Sequence, residues 1–319
     1  MTSFLKKAAN WKYLVLVGAL VLAGLGIAFR KVESSNAAAP SGTATQITFS
    51  SPDEAGAELA TAAKAGDQST LSQILGVDTS ALLTTGDNDT DKAAMDAFAS
   101  KYDKMNRWVD MTDGTRVLYV GADNFAFPVP LVKNSSGQWY SDAVAGAQEV
   151  RARDIGRNEL LAMDACAALA NAEDVYFEGA PSEYTQRIIS TPGKKDGLYW
   201  PASDAQPSSP LARLSEFPKS PLASLSPNEP LVIDGYTLRI LTAQGDDAPG
   251  GAQNYVVNGK LTRRFAVLAT PVGYAETGIM TFITGSDGIV YERDFGPDTA
   301  KIAGSIEIYN PDQNWSPVE

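Results

Sequence analysis

No histidine occurs in this chain of 319 residues, and cysteine occurs once, at Cys166. Without imidazole there is no Ser-His-Asp or Cys-His nucleophile system, and no His-ligated zinc, haem or non-haem iron. One cysteine forms neither a thiolate cluster nor an intrachain disulfide. Cys166 falls in an apolar helical pattern, so a small buried hydrophobe is the expected role. Chemistry stays open only to carboxylates, lysine, tyrosine, hydroxyls or oxygen-ligated metals. Basic residues are also scarce, 26 against 38 acidic ones. Residues 1–39 hold five of the 26 and only one acid, Glu33, so the rest of the chain is more acidic than the net charge of −12. Such a body is repelled by phosphate backbones, and no nucleic-acid partner is expected.

The longest uncharged apolar run begins at Leu14 and ends at Phe29 (LVLVGALVLAGLGIAF). As a helix it spans about 24 Å, and Trp11 and Tyr13 extend it toward the roughly 30 Å hydrocarbon core. Lys6, Lys7 and Lys12 precede it, which places the N-terminus in the cytoplasm and the body outside. The expectation is a signal-anchor in the inner membrane of a cell envelope, with the body in the periplasm or beyond. The alternative is a cleaved signal using Ala37-Ala38-Ala39 and a protein secreted to the periplasm.

Residues 32–46 read as a small-residue linker. Ser51-Pro52-Asp53-Glu54 is a capping box with proline at the first helical position. Helices are expected after it, at residues 69–75 and at residues 91–108. Strands follow at 115–121, 125–133 and 138–141. Pro128 and Pro130 should make the middle one an edge or bulged strand. Helices followed by an antiparallel meander suggest a small α+β domain of the cystatin-like type, residues 47–144. Its opening "SPDEAGAELATAAKAGD" and closing "GQWY" carry that likeness.

Residues 145–319 read as a long helix, in two pieces near Gly156, packed on at least four antiparallel strands. Asn258-Gly259 and Ser286-Asp287-Gly288 mark hairpins. Between helix and sheet lies an irregular, proline-rich stretch, residues 190–230.

No catalytic set, metal-ligand set or cofactor site stands out. Asp87, Asp89 and Asp91 imitate a calcium loop, but Lys92 stands where glycine is needed and Phe98 where glutamate is needed. A turn and helix cap is expected there. Asp246 and Asp247 lie in a Gly-rich loop expected to be solvated. Residues 190–200 (STPGKKDGLYW) place Lys194, Lys195 and Asp196 beside Tyr199 and Trp200. Two cations next to aromatics suit an anionic polymer or an acidic partner surface; the competing reading is a structural turn with both aromatics buried.

The phrases "FPVPLV", "IGRNELLA", "YTQRIISTPGKKDGLYWP", "SPLARL" and "GYTLRILTAQGDDAPGGAQNYVVNGKLTRRFAVLATPVGYAETGIMTFITGSDGIVYERDFGPDT" resemble a bacterial exported family, domain of unknown function 2950. The resemblance covers about residues 49–318. It implies export and brings no catalytic residues with it. Within it, the helix, irregular segment and sheet ending in "TGIMTFITGSDGIVYERD" resemble the globular part of type IV pilins and pseudopilins, without the prepilin cleavage motif.

The expected function is therefore a non-enzymatic envelope protein working through contacts with another envelope protein or an anionic envelope polymer. The alternative is an enzyme or carbohydrate-binding module acting on such polymers. Export has a direct check: a reporter that fluoresces only in the cytoplasm, fused after Glu319, should stay dark, and bright cells would refute it.

Overall fold

The computed structural model describes residues 46–76, 87–179, 182–201, 208–212, 222, 225–227 and 229–318. The apolar run at residues 14–29 and the linker before residue 46 lie outside them. The described chain is α+β, and its contacts divide it into two compact units, the first ending at Ala152 and the second starting at Arg153.

In the first unit, α1 (Pro52–Ala65) starts where the capping box predicts. The Glu54 amide donates to Ser51 Oγ, but the Glu54 carboxylate reaches one residue further back, accepting from the amide and hydroxyl of Ser50. Those bonds hold its pKa below the usual carboxylate value. Helix α2 (Gln68–Leu75) is capped by Asp67, and α3 (Asn88–Lys104) by Asp87. The Asp87 carboxylate accepts from the amides of Asp89 and Thr90, so this stretch is a helix cap, as the failed calcium motif implies.

Helix α3 ends earlier than its apolar periodicity predicts. Met105 takes extended backbone, Asn106 Nδ2 donates to the carbonyl of Tyr102, and the chain leaves as strand β1 (Asn106–Asp110). Trp108 thus sits on a strand, and five cross-strand pairs to β2 (Arg116–Val120) outweigh one further helical turn. The expected strand through Pro128 and Pro130 is also corrected. It divides into β3 (Phe125–Ala126) and β4 (Leu131–Lys133), both prolines falling in the gap, where no ladder bond is lost. Strand β4 is not an edge: it lies between β2 and β5 (Trp139–Ser141), in the order β1-β2-β4-β5 with β3 also on β2. Leu59, Ala63, Leu71, Ile74, Leu131 and Trp139 form the core between helices and sheet.

Helix α4 (Ala143–Gly179) is unbroken through Gly156, contrary to the expected two pieces. A central glycine costs a helix only about 1 kcal/mol. The residues beside it provide more: Ile155 is buried, Asn158 Nδ2 donates to the Thr277 carbonyl, and Glu159 Oε1 accepts from the amides of Ile279 and Met280.

The second unit is built on a six-stranded antiparallel sheet. It comprises β6 (Leu231–Ile233), β7 (Tyr236–Leu241), β12 (Ala266–Pro271), β13 (Met280–Gly285), β14 (Val290–Asp294) and β15 (Ser316–Pro317). Their spatial order is β15-β14-β13-β12-β7-β6. Two ribbons join it, β8 (Ala243–Gln244) with β9 (Gln253–Asn254), and β10 (Val256–Val257) with β11 (Lys260–Leu261). Leu238, Ala269 and Phe282 are register neighbours and so share one face. The α4 stripe Ala162, Ala165, Cys166 and Leu169 packs into the same core. Burial pushes the Cys166 thiol up to about 12, as its apolar role requires. On the other face Arg239 donates to the carbonyls of Ala303 and Ile306, tying down α5 (Thr299–Gly304).

Both predicted hairpins form. Asn258 and Gly259 have φ of 52° and 78°, and Gly288 has φ of 77°. A Cβ at Gly259 or Gly288 would touch nothing, so any cost there is backbone strain alone. Gly259→Val and Gly288→Val should each destabilise by about 1 kcal/mol or more, read from the denaturant midpoint. Gly156→Ala adds its methyl to open space on a helix and should stabilise by up to about 1 kcal/mol. Unchanged midpoints for both valine variants would remove the strain argument.

Candidate functional site

Residues 190–200 were singled out by composition, and the structure shows a loop held in one shape by its own backbone. The Ser190 amide donates to the Tyr199 carbonyl, and the Tyr199 amide to that of Ile188. Leu198 donates to Arg187, closing the base. At the tip Lys194 N–H returns to the Thr191 carbonyl, with Gly193 at φ 78°. Gly197 is required by space: a Cβ there would lie 2.6 Å from the Ser190 amide nitrogen.

Asp196 braces the loop from within. Its carboxylate accepts from the Thr191 amide at 2.7 Å and the Thr191 hydroxyl at 2.8 Å. Burial opposes its ionisation, but these hydrogen bonds leave its pKa below the ordinary value. Tyr199 is 8% exposed and belongs to the core with Leu198. Trp200 is half-buried, and Lys195 Nζ sits 5.5 Å from its ring centre. Lys194 and Lys195 are exposed, and no acidic side chain among the described residues pairs with either. Of the five residues the sequence marks, Lys194 and Lys195 are exposed, Trp200 is half-buried beside Lys195, Asp196 braces Thr191 and Tyr199 is in the core.

Three further residues support this loop and were missed in the sequence. Tyr176 on α4 donates its hydroxyl to the Lys195 carbonyl at 2.9 Å. Thr185 Oγ1 donates to the Asp196 carbonyl at 2.7 Å. The Thr185 amide in turn donates to Glu173 Oε2 at 2.9 Å, and Glu173 is 0% exposed. One signal was available: Glu173 stands on the same helical stripe as Ala162, Cys166 and Leu169, where an acid is out of place.

In the second acidic loop Asp246 and Asp247 are exposed, as expected, and hydrogen bonds brace the backbone. Asn310 accepts from the Asp247 amide and donates to its carboxylate, while Gln244 Nε2 donates to the carbonyls of Pro249 and Gly251. Each unit carries a surface cleft among its described residues. The first, of about 420 Å³, is lined by Lys64, Asp96, Ser100 and Asp103. The second, of about 530 Å³, lies between residues 186–189 and β7, with Arg187, Glu229 and Arg239 on its walls. Lys194 and Lys195 line neither. Among the described residues no group of three or more acidic or cysteine side chains is placed to hold a metal ion.

No curated protein and no solved structure matches the chain. A family model does, over residues 46–318, which takes in both units and the braced loop. The chain belongs to that family, described as protein of unknown function, DUF2950.

Proposed function

We propose that this is an envelope protein tethered by residues 14–29, with its body outside the cytoplasm, that acts through contact of the 190–200 loop with an acidic surface on another envelope protein. The carrying observation is the pair Lys194 and Lys195: exposed, without acidic partners among the described residues, and mounted on a loop already in one conformation. Pre-ordering removes an entropic cost of association. Two cations on an acidic body also form a local attraction that steers an acidic partner.

Support for the pilin-like reading of the second unit is its one long helix against an antiparallel sheet; for the cystatin-like reading of the first, its helices followed by a meander. Neither likeness carries a function by itself. The alternative partner, an anionic envelope polymer, rests on the two exposed cations beside an aromatic ring, Lys195 Nζ lying 5.5 Å from the Trp200 ring centre. An enzymatic reading would need two carboxylates facing a cleft that adjoins this loop; the cleft beside residues 186–189 has Glu229 as its acidic wall.

Replacing Lys194 and Lys195 together by Gln leaves every hydrogen bond of the loop named above in place, since both contribute backbone atoms only to them. Thermal stability should be unchanged, while partner recovered by crosslinking in intact envelopes should fall about tenfold at low salt and less at high salt. Equal recovery at equal stability would reduce the loop to scaffold. Recovery of polysaccharide instead of protein would favour the alternative partner.

A further inference from the structure

Glu173 is buried without a cation. Its Oε2 accepts from the Thr185 amide, and its Oε1 has no hydrogen-bond partner among the described residues. The ionisable groups around it are of one sign or neutral. Asp174 precedes Val175 on the same helix, and Tyr176 follows one turn on; Tyr184 lies on the segment after α4, stacked on Phe177. Further out stand Asp196, Arg187 and Arg264, and Glu183, which is paired with Lys260 on β11. No lysine or arginine among the described residues pairs with Glu173 itself. A carboxylate in such a place carries an uncompensated buried charge, so the neutral acid is the form that fits.

The lid over this acid is the segment that supports the loop. Thr185 reaches Glu173 with its amide and the Asp196 carbonyl with its hydroxyl; Tyr176 holds the adjacent Lys195 carbonyl. We propose that Glu173 is a protonation switch for the 190–200 loop: the neutral acid keeps the Thr185 segment closed, and ionisation lifts that segment and frees the loop. An ionised Glu173 must find water. Breaking α4 to do so would expose its whole core stripe, whereas lifting residues 183–187 breaks a few hydrogen bonds and leaves Ile189, Leu198 and Tyr199 in the core. The stronger bond a carboxylate would accept from the Thr185 amide works against opening, and burial outweighs it.

Burial raises the Glu173 pKa from 4.5 to about 8, the Thr185 amide pulls it down, and Asp174 pushes it up further. Between those two values the folded protein holds a proton that the unfolded chain lacks. Stability therefore falls as pH rises from about 4.5, and the advantage of the protonated form is fully lost above about 8. The switch is closed in acid and neutral surroundings and open in alkaline ones.

The inference takes its biological meaning from the binding reading above, but its test needs no partner, so the two fail separately. Cys166 is fully buried, so Lys194→Cys in the full chain supplies a single reactive thiol for a nitroxide spin label. The label's mobile fraction should rise from a minor to a major component through a one-proton transition near pH 8. Far-UV circular dichroism should stay constant over the same range. In Glu173→Gln the label should stay immobile from pH 6 to 9.5. In Thr185→Val, which keeps the amide bond to Glu173 but loses the hydroxyl tie to Asp196 and the hydroxyl's bonds with the Arg187 backbone, it should be mobile already at pH 6, and this variant serves if the Gln variant does not fold. A transition that persists in Glu173→Gln, one that coincides with loss of helix, or an immobile label in Thr185→Val would each overturn the proposal.

Discussion

Everything in the second unit depends on the close approach of one helix to one sheet. The α4 stripe is mainly alanine, with Cys166 and Leu169 as its larger members, and all are buried against Tyr236, Leu238 and Phe282. Small side chains let the helix backbone come near the sheet, and the aromatic bulk is supplied from the strands. Each apolar side chain so buried contributes on the order of 1–3 kcal/mol. Glu159 adds a polar lock at one end, where its carboxylate binds two successive amides at the start of β13. The loop inherits this rigidity, because its supports Glu173 and Tyr176 stand on the same helix.

Local chemistry was readable in the sequence wherever a residue carries its own instruction. Ser51-Pro52 and Asp87 set helix starts with side chains that bond the first amides. Asn258-Gly259 supplies a positive φ at both turn positions, and Ser286-Asp287-Gly288 at the last of its three, so both hairpins follow directly. Periodicity misled where tertiary pairing competes with it. Residues 106–108 continue the α3 pattern well enough to pass for helix, and only the partner strand β2 converts them to sheet. Gly156 misled for the opposite reason: its propensity argues for a break, and contacts made from residues 158 and 159 to residues 277–280 cancel that argument.

The site was half legible. Lys194 and Lys195 are conspicuous as cations in an acidic chain, and Pro192, Gly193 and Gly197 announce an irregular path. The division of labour within the segment was hidden. Asp196 turns inward because Thr191 offers it an amide and a hydroxyl, and Tyr199 because the strand-like base at Ile188 and Ile189 draws it into the core. Thr185 lies eleven residues before Asp196 and twelve after Glu173. No pattern of period 2 or 3.6 connects such distances; a lone acid on an apolar stripe was the one mark left in the sequence.

That lone acid has a second consequence, which comes from the composition. Proteins ordinarily exchange protons near neutrality through their histidines, and this chain has none. Surface carboxylates have finished titrating by about pH 6, and lysines and tyrosines begin above about 9. The interval between is sparsely populated: beyond a terminal amine and the buried carboxyl on α4, it is approached by carboxyls that burial raises, Asp164, Asp174 and Glu292. The protein's charge is therefore nearly constant through the range in which most proteins change theirs, and a single proton taken up inside it would stand out against an almost blank background.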